Sequence, residues 1–255
     1  MTKHLIYILI GLFFISCNCT DNYPKDKSVS NTNGKPKDSL TFYFPTAIKR
    51  DTQIVKTKID TFSLNRFSSV LYAAREPILY NFYLGHDIYR LLWLRTWHKP
   101  VIISINKNGN RVWLTIKELD RQPRFHDMTY VKPIIRDLLP NGEIDTTKKY
   151  DTEMHIDSIV KGDRKANMTL NETKELTDKD WTEFENLIQK SSFWTLERQQ
   201  QEKSFSCNGS SWIIEGHLAD KYWFVDRKNQ EWARNDFREA ARFLIVKSGM
   251  KEQSN

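Results

Sequence analysis

Three sets of polar residues in this sequence have types and spacings that could do chemistry. In the first, Glu153, His155 and Asp157 alternate along the chain. On a β-strand they would share one face, where two carboxylates and an imidazole could ligate a divalent metal. The competing interpretation is a solvated edge strand, which we favour because the surrounding sequence is irregular. We therefore predict neither a metal site nor a cofactor.

The second set contains the residue types of a hydrolase. Ser210 and Ser211 lie close in sequence to Glu215 and His217. However, the chain has no G-x-S-x-G elbow, and nothing in the spacing imposes the geometry that a Ser–His pair needs. A P-loop and a G-x-G-x-x-G motif are also absent from the sequence, which removes the usual support for nucleotide binding. On these grounds we lean away from an enzyme.

The third set combines arginines with tryptophans in strands that we expect to be partly buried. Its members are Arg90, Arg95, Glu215, Arg227, Trp93, Trp212 and Trp223. Buried charges are usually paired, because an unpaired one costs several kcal/mol. The structural interpretation is an Arg–Glu network that joins two hairpins. The functional interpretation is an Arg-lined cleft, floored by the tryptophans, that takes a carboxylate or a phosphate. We favour the structural one and keep the set as the candidate ligand site.

The N-terminus indicates a covalent modification. Lys3 precedes the apolar run Leu5–Ile15, which is shorter than the ~20 residues of a spanning helix and has the form of a secretory signal. The run ends in Phe14-Ile15-Ser16-Cys17, which resembles the lipobox of bacterial lipoproteins. In that family the signal is cleaved before the cysteine, whose thiol and new amino group are acylated. The alternatives are an uncleaved signal anchor and a stray cysteine in an ordinary signal.

The lipobox resemblance implies a location and a domain layout. Residues 1–16 would be the signal peptide, and Cys17 would carry acyl chains such as palmitate in a membrane of the bacterial cell envelope, with the outer membrane as the expected one. Residues 17–41 are rich in Asn, Ser, Lys and Asp, which predicts a flexible tether. The other two cysteines, Cys19 and Cys207, could form a disulfide in this compartment, but we favour free thiols.

Composition describes the rest of the chain. Of 255 residues, 39% are hydrophobic and 13% aromatic, which indicates a packed core rather than disorder. The net charge of +7 raises the question of a nucleic-acid partner. The basic residues are spread out and form no stripe interleaved with aromatics, so we predict no nucleic-acid binding.

The globular domain is predicted to span residues 42–250, with an irregular excursion at about 121–166 and a tail at 251–255. Asn108-Gly109 predicts the turn of one β-hairpin, and Ala219-Asp220 lies between the two strands of another.

Two amphipathic helices complete the prediction. One begins with Thr177 as N-cap and Asp180 reaching back, and the other ends at Gly249. The pattern predicts a single α+β domain in which antiparallel hairpins pack with two helices.

Five segments carry a second resemblance: YRLLWLRTWHKPVIISI, LTIKELD, LTDKDWTEFENLIQKSSFWTL, CNGSSWIIEGHLADKYWFVDR and FREAARFLIVKSG. As a set they resemble a family of uncharacterised bacterial proteins, over residues 71–250 without the excursion. The resemblance implies a fold and no activity. The chain departs from that family at Asn208, Trp223 and Lys228-Asn229, where relatives carry Asp, His, and Trp with its neighbour.

Two hypotheses of different classes follow. In the first, the chain is a membrane-anchored envelope lipoprotein whose domain is a non-catalytic binding or structural module for a protein or glycan partner. The alternative is an envelope enzyme that uses an Arg-lined cleft for an anionic substrate. The missing nucleophile, metal and phosphate motifs favour the first.

Overall fold

A computed structural model describes residues 23–50, 53–56, 59–95, 98–124, 128–131, 156–160, 164–199, 210–228 and 235–251. In chain order the strands are β1 (Ala47–Arg50), β2 (Gln53–Lys56), β3 (Asp87–Arg95), β4 (Val101–Asn108), β5 (Arg111–Leu119), β6 (Met128–Val131), β7 (Ile156–Val160), β8 (Met168–Leu176), β9 (Ser210–Leu218) and β10 (Lys221–Lys228). The helices are α1 (Thr61–Ala73), α2 (Asp178–Lys190) and α3 (Asn235–Ser248), with a short 3-10 helix at Phe193–Thr195.

Six strands form one antiparallel sheet in the spatial order β10-β9-β3-β4-β5-β8. The two predicted hairpins, β4–β5 and β9–β10, are both present, and Gly109 adopts the positive φ of +58° that the first turn needs. β3 lies between them and pairs with β4 on one side and β9 on the other. The α+β prediction is confirmed, as one domain built on this six-stranded antiparallel sheet.

Helices α2 and α3 cover one face of this sheet, which we call the α2/α3 face. Thr177 caps α2, and its reciprocal bonds with Asp180 form the predicted capping box. Gly249 follows α3 with φ +80°, as the C-cap prediction requires. Apolar side chains from both helices and from the strands form one buried cluster under them, with Phe184 and Leu244 fully enclosed.

The opposite face, the α1 face, is covered by a helix that the prediction of two helices missed. Asp60 caps α1 by accepting a hydrogen bond from the Ser63 N–H. Ser63, Ser68 and Ser69 are buried with the apolar residues. The helices are predicted from apolar periodicity, and these buried serines interrupt it. Serine is nevertheless small enough to pack in the interface between a helix and the sheet.

The prediction of a free tether up to residue 41 is wrong from Tyr23 onward. Residues 23–46, which we call the N-terminal strap, lie against the α1 face, and Tyr23, Tyr43 and Phe44 are buried. At Gly34 (φ +74°) a Cβ atom would lie 2.7 Å from that of Pro77, so the contact requires glycine. A few buried aromatics stabilise a segment whose polar composition predicts none of this packing.

Among the described residues of the excursion, β6 and β7 form a small antiparallel pair, and a further pair, β1–β2, precedes α1. β7 contains Asp157 of the metal hypothesis. The lipidation site Cys17, the thiols Cys19 and Cys207, and Glu153 and His155 of the metal hypothesis lie outside the described residues.

Candidate functional site

The Arg–Trp set divides between the two faces of the sheet. Arg90 and Glu215 are cross-strand neighbours on the α1 face, where Arg90 donates to the Pro77 carbonyl in the loop after α1. The remaining members lie on the α2/α3 face: Trp93, Arg95, Trp212, Trp223 and Arg227. A single cleft containing all seven is therefore wrong. The physical reason is strand parity, since Arg90 and Trp93 are three residues apart in β3.

Arg90 is the centre of a buried charge network. Its guanidinium Nε lies 2.7 Å from Oε2 of Glu215, and its Nη1 lies 3.1 Å from Oε2 of Glu76. The other oxygen of Glu76 lies 2.7 Å from Nζ of Lys117. Arg90 and Glu215 are both 0% exposed. Two cations therefore face two carboxylates, so the network is balanced in charge.

Hydroxyl and backbone groups complete this network. Tyr222 donates its O–H to Oε1 of Glu215 at 2.9 Å, and Arg90 Nη1 donates to the Pro77 carbonyl at 2.8 Å. Lys117 Nζ donates to the Ala74 carbonyl at 3.1 Å. The network joins β3, β5, β9 and β10 to the loop that follows α1. It is the Arg–Glu network of the structural interpretation, and it extends to partners that interpretation did not include.

The electrostatics of the network follow from its burial. Burial pushes the pKa of Arg90 down, but the charges of Glu215 and Glu76 outweigh burial and raise that pKa above its usual value. Burial raises the pKa of Glu215, opposed by Arg90. Burial also raises the pKa of Tyr222 well above 10, so its hydroxyl remains a donor. The charge of Arg90 is therefore what stabilises the ionised form of Glu215.

His217 belongs to a second polar cluster on the same face. Its Nδ1–H donates to the Leu79 carbonyl at 2.6 Å, and its Nε2 accepts from the Leu84 N–H at 3.1 Å. The ring is 0% exposed, and burial lowers its pKa to about 3. Both ring nitrogens are therefore engaged with backbone. This arrangement leaves His217 neutral, and neither of its ring nitrogens is available to Ser210 or Ser211 as a base.

Tyr23 of the N-terminal strap closes this cluster from outside. Its O–H donates to the Leu218 carbonyl at 2.7 Å and lies 3.0 Å from Nδ1 of His217. Its ring meets that of His217 edge-on at 5.1 Å between centroids. The strap is thereby joined to the β9–β10 turn.

At the opposite end of the sheet, four members of the set do lie together on the α2/α3 face. Trp93 is the cross-strand neighbour of Trp212, which is the neighbour of Arg227. Arg95, two residues beyond Trp93, places its guanidinium carbon 4.3 Å from the centroid of the Trp93 ring. We call these four residues the Arg95 end. Trp223 lies four residues from Arg227 and donates its indole N–H to the Leu196 carbonyl at 3.2 Å.

The Arg95 end is rich in donors. Arg95 Nη2 donates to the Lys99 carbonyl at 3.1 Å, and Arg227 Nη1 donates to the Asp226 carbonyl at 2.8 Å. The buried indole N–H groups of Trp93 and Trp212 have no acceptor within the described part of the chain. Burial lowers the pKa of Arg95 and of Arg227, against nearby carboxylates. Such a donor set suits a carboxylate or phosphate oxygen.

Sequence reasoning missed Glu76, Lys117 and Tyr222. Glu76 lies directly before Pro77, and no local sequence pattern connects it with β3. Lys117 carries a weak signal, because it alternates with the buried Leu114 and Ile116 and so lies on the α1 face.

A comparison with protein-family models, curated proteins and solved structures finds no match. Among the residues that the structure describes, no group of three or more His, Cys, Asp or Glu side chains could hold a metal ion. No helix within the described ranges has the length and apolarity needed to cross a membrane.

Proposed function

We propose that this chain is a lipid-anchored lipoprotein of the bacterial cell envelope, acylated at Cys17, and that its domain is a non-catalytic binding module. The observation that carries the anchor is the sequence Phe14-Ile15-Ser16-Cys17 at the end of a short apolar run. Two or three acyl chains hold a protein at a membrane that one chain binds only weakly. The partner is an envelope protein or glycan.

A binding role is supported by how the buried ionisable groups are used. Arg90, Glu215, Glu76 and Lys117 pair with one another, and His217 is neutral and bonded to backbone at both nitrogens. A general acid or base needs a pKa near the working pH and access to the substrate. These groups instead stabilise the fold, and the domain surface is left to recognise a partner.

The Arg95 end is the part of the domain best suited to an acidic ligand group. Arg95 is partly exposed and stacks on Trp93, so a carboxylate from solvent would meet it first. Behind it lie Arg227 and two indole donors. Partners with acidic side chains or acidic sugars therefore fit this end.

Metabolic labelling tests the anchor. Cells that express the full chain would be grown with an alkyne-tagged palmitate, and the protein would be examined for label and for membrane fractionation. We expect label in the wild type and in Cys19→Ser, and none in Cys17→Ser. The Cys19→Ser variant is the matched control, since it removes a thiol two residues away. Label that persists in Cys17→Ser would overturn the proposed anchor.

Cross-linking in intact cells tests the binding module. Partners captured by the wild type would be compared with those of Arg95→Gln and of Arg242→Gln, an exposed arginine of α3 that pairs with Glu239. We expect a defined set of envelope partners that Arg95→Gln loses and Arg242→Gln keeps. Capture that is the same in all three proteins would exclude the Arg95 end as the binding surface.

A further inference from the structure

The N-terminal strap places the first buried residue of the domain very close to the proposed lipid. Tyr23 is 5% exposed and bonds to the carbonyls of Leu218 and Lys221 at the β9–β10 turn. Only residues 18–22 separate it from Cys17. Even fully extended, six residue steps span about 20 Å. An anchor at Cys17 would thus keep the β9–β10 turn within about 20 Å of the bilayer surface.

The β9–β10 turn lies at one end of the sheet, which we call the turn end. The β4–β5 turn, with Gly109, and the start of β3 lie there too, because Ile88 pairs with both Asn106 and His217. The Arg95 end lies at the other end of β3. A strand rises about 3.3 Å per residue, so the nine residues of β3 separate the two ends by roughly 25–30 Å. This distance exceeds the reach of residues 18–22.

The turn end also has the side chains that suit a lipid–water interface. Two cations lie over partly exposed indole rings: Lys221 over Trp194 at 4.5 Å and Arg111 over Trp113 at 5.2 Å. A third cation, Lys107, lies 5.8 Å from the centroid of the Trp181 ring, which is buried. Tryptophan and long basic side chains are enriched at this interface, because each has an apolar body and a polar tip.

The turn end also carries acidic residues: Asp87 at the start of β3, Asp220 in the β9–β10 turn, and Glu175 and Asp178 beside the cations. Arg111 pairs with Glu175 at 2.6 Å, and Lys107 pairs with Asp178 at 3.0 Å. Exposed pairs of this kind are weak, so a lipid phosphate can compete for the cation. Exposed Lys25 and Lys27 lie two and four residues after Tyr23, with Asp26 between them.

From this geometry, and resting on the proposed acylation of Cys17, we propose that the turn end is a membrane-docking surface that contacts phospholipid headgroups. The Arg95 end then faces away from the bilayer, toward the partner. The strap, rather than a long tether, sets this orientation. Docking is a property of the intact strap, because it requires Tyr23 to stay bound at the β9–β10 turn.

Depth-dependent quenching tests the orientation. Acylated protein lacking Cys19 and Cys207 would carry a fluorophore on Asn110→Cys, at the turn end, or on Lys99→Cys, at the Arg95 end. It would be reconstituted in vesicles of phosphatidylethanolamine and phosphatidylglycerol that contain a headgroup-spin-labelled lipid. We expect quenching several-fold stronger at position 110 than at position 99. Equal quenching, or the reverse order, would overturn the docking surface.

A linker variant shows whether the strap causes the orientation. Insertion of a flexible Gly-Ser segment of about fifteen residues between Cys19 and Tyr23 adds roughly 20 Å of coil. We expect the quenching ratio between the two positions to fall toward one in this variant. An unchanged ratio would mean that the turn end docks without help from the short connection, and the role of the strap would be wrong.

The two proposals fail in different ways. If mass spectrometry finds no acyl chains and the protein does not float with vesicles, the proposed anchor is wrong. If the protein is acylated and floats, but the two labels are quenched equally, the anchor stands and the docking surface alone is wrong.

Discussion

The two faces of the central sheet differ in whether their buried polar groups have hydrogen-bond partners. On the α1 face, Arg90 and His217 are fully buried, and each donates to a carbonyl of the loop between α1 and β3. On the α2/α3 face, the buried indole N–H groups of Trp93 and Trp212 have no acceptor among the residues the structure describes. A loop has free carbonyl groups to offer, whereas a helix uses most of its own internally. Charged residues can therefore lie under a loop at low cost.

The largest effect should come from removing the centre of the charge network. Arg90→Met leaves Glu215 buried without its cation, which we expect to lower the free energy of unfolding by about 3–5 kcal/mol in urea denaturation. The loss should shrink as the pH falls toward acid values, because burial raises the pKa of Glu215 and the neutral form needs no partner.

The control for that variant is Arg111→Met, which breaks an exposed ion pair with Glu175. Exposed pairs contribute at most about 1 kcal/mol, so this protein should unfold almost as the wild type does. If Arg90→Met and Arg111→Met lower the free energy of unfolding equally, burial does not determine how much an ion pair contributes to stability.

Leu91, the residue after Arg90 in β3, lies on the α2/α3 face and tests the packing there. Leu91 is 0% exposed under α2 and α3, and Leu91→Ala should cost about 3 kcal/mol through lost burial and a cavity. This loss should be the same at every pH where the wild type is folded, since no ionisable group is removed. A pH-dependent loss for Leu91→Ala would show that the two faces are not independent.

Acid should weaken the α1 face through His217. Its pKa is about 3 when folded and about 6.5 when unfolded, so the unfolded chain binds a proton first as the pH falls. Stability from this group is fully present above pH 6.5 and is lost on acidification, by about 2 kcal/mol between pH 6.5 and 5. Urea titrations of the wild type and His217→Gln would measure this. The prediction fails if both proteins lose the same stability over this interval.

The smallest effects compare one donor on each face. Tyr222→Phe removes the hydroxyl that bonds Glu215 and should cost about 1 kcal/mol. At Trp93, a benzothienylalanine isostere replaces the indole N–H by sulfur. We expect it to be neutral or slightly stabilising, because the N–H has no acceptor to lose within the described ranges. A loss of 1 kcal/mol or more at Trp93 would instead point to an acceptor.

What the sequence predicts well is local. Short signals predict the elements beside them within a few positions. The turn residues Gly109 and Ala219-Asp220 predict two hairpins, and the capping pair Thr177 and Asp180 predicts the start of α2. Helix α1 and the N-terminal strap are missed because their buried residues stand among serines and charged residues. No short window of sequence shows that these segments pack.

The candidate site is predictable only in part. Pairing Arg90 with Glu215 follows from the expectation that buried charges have partners, and the structure joins them. The single cleft is wrong because successive side chains of a strand point to opposite faces of the sheet. In β3 this places Arg90 and Trp93 on different faces. Glu76 comes from a loop, and the register that brings it to β3 depends on the whole fold.

The contact between Tyr23 and His217 joins residues 194 positions apart, and it bears on the order in which the chain folds. Tyr23 is synthesised early, whereas its acceptors at Leu218 and Lys221 are synthesised much later. The strap therefore cannot dock until both strands of the β9–β10 hairpin have been made. Contacts of such long sequence separation also form slowly. Closure of the β9–β10 turn by the strap is thus a late step in folding.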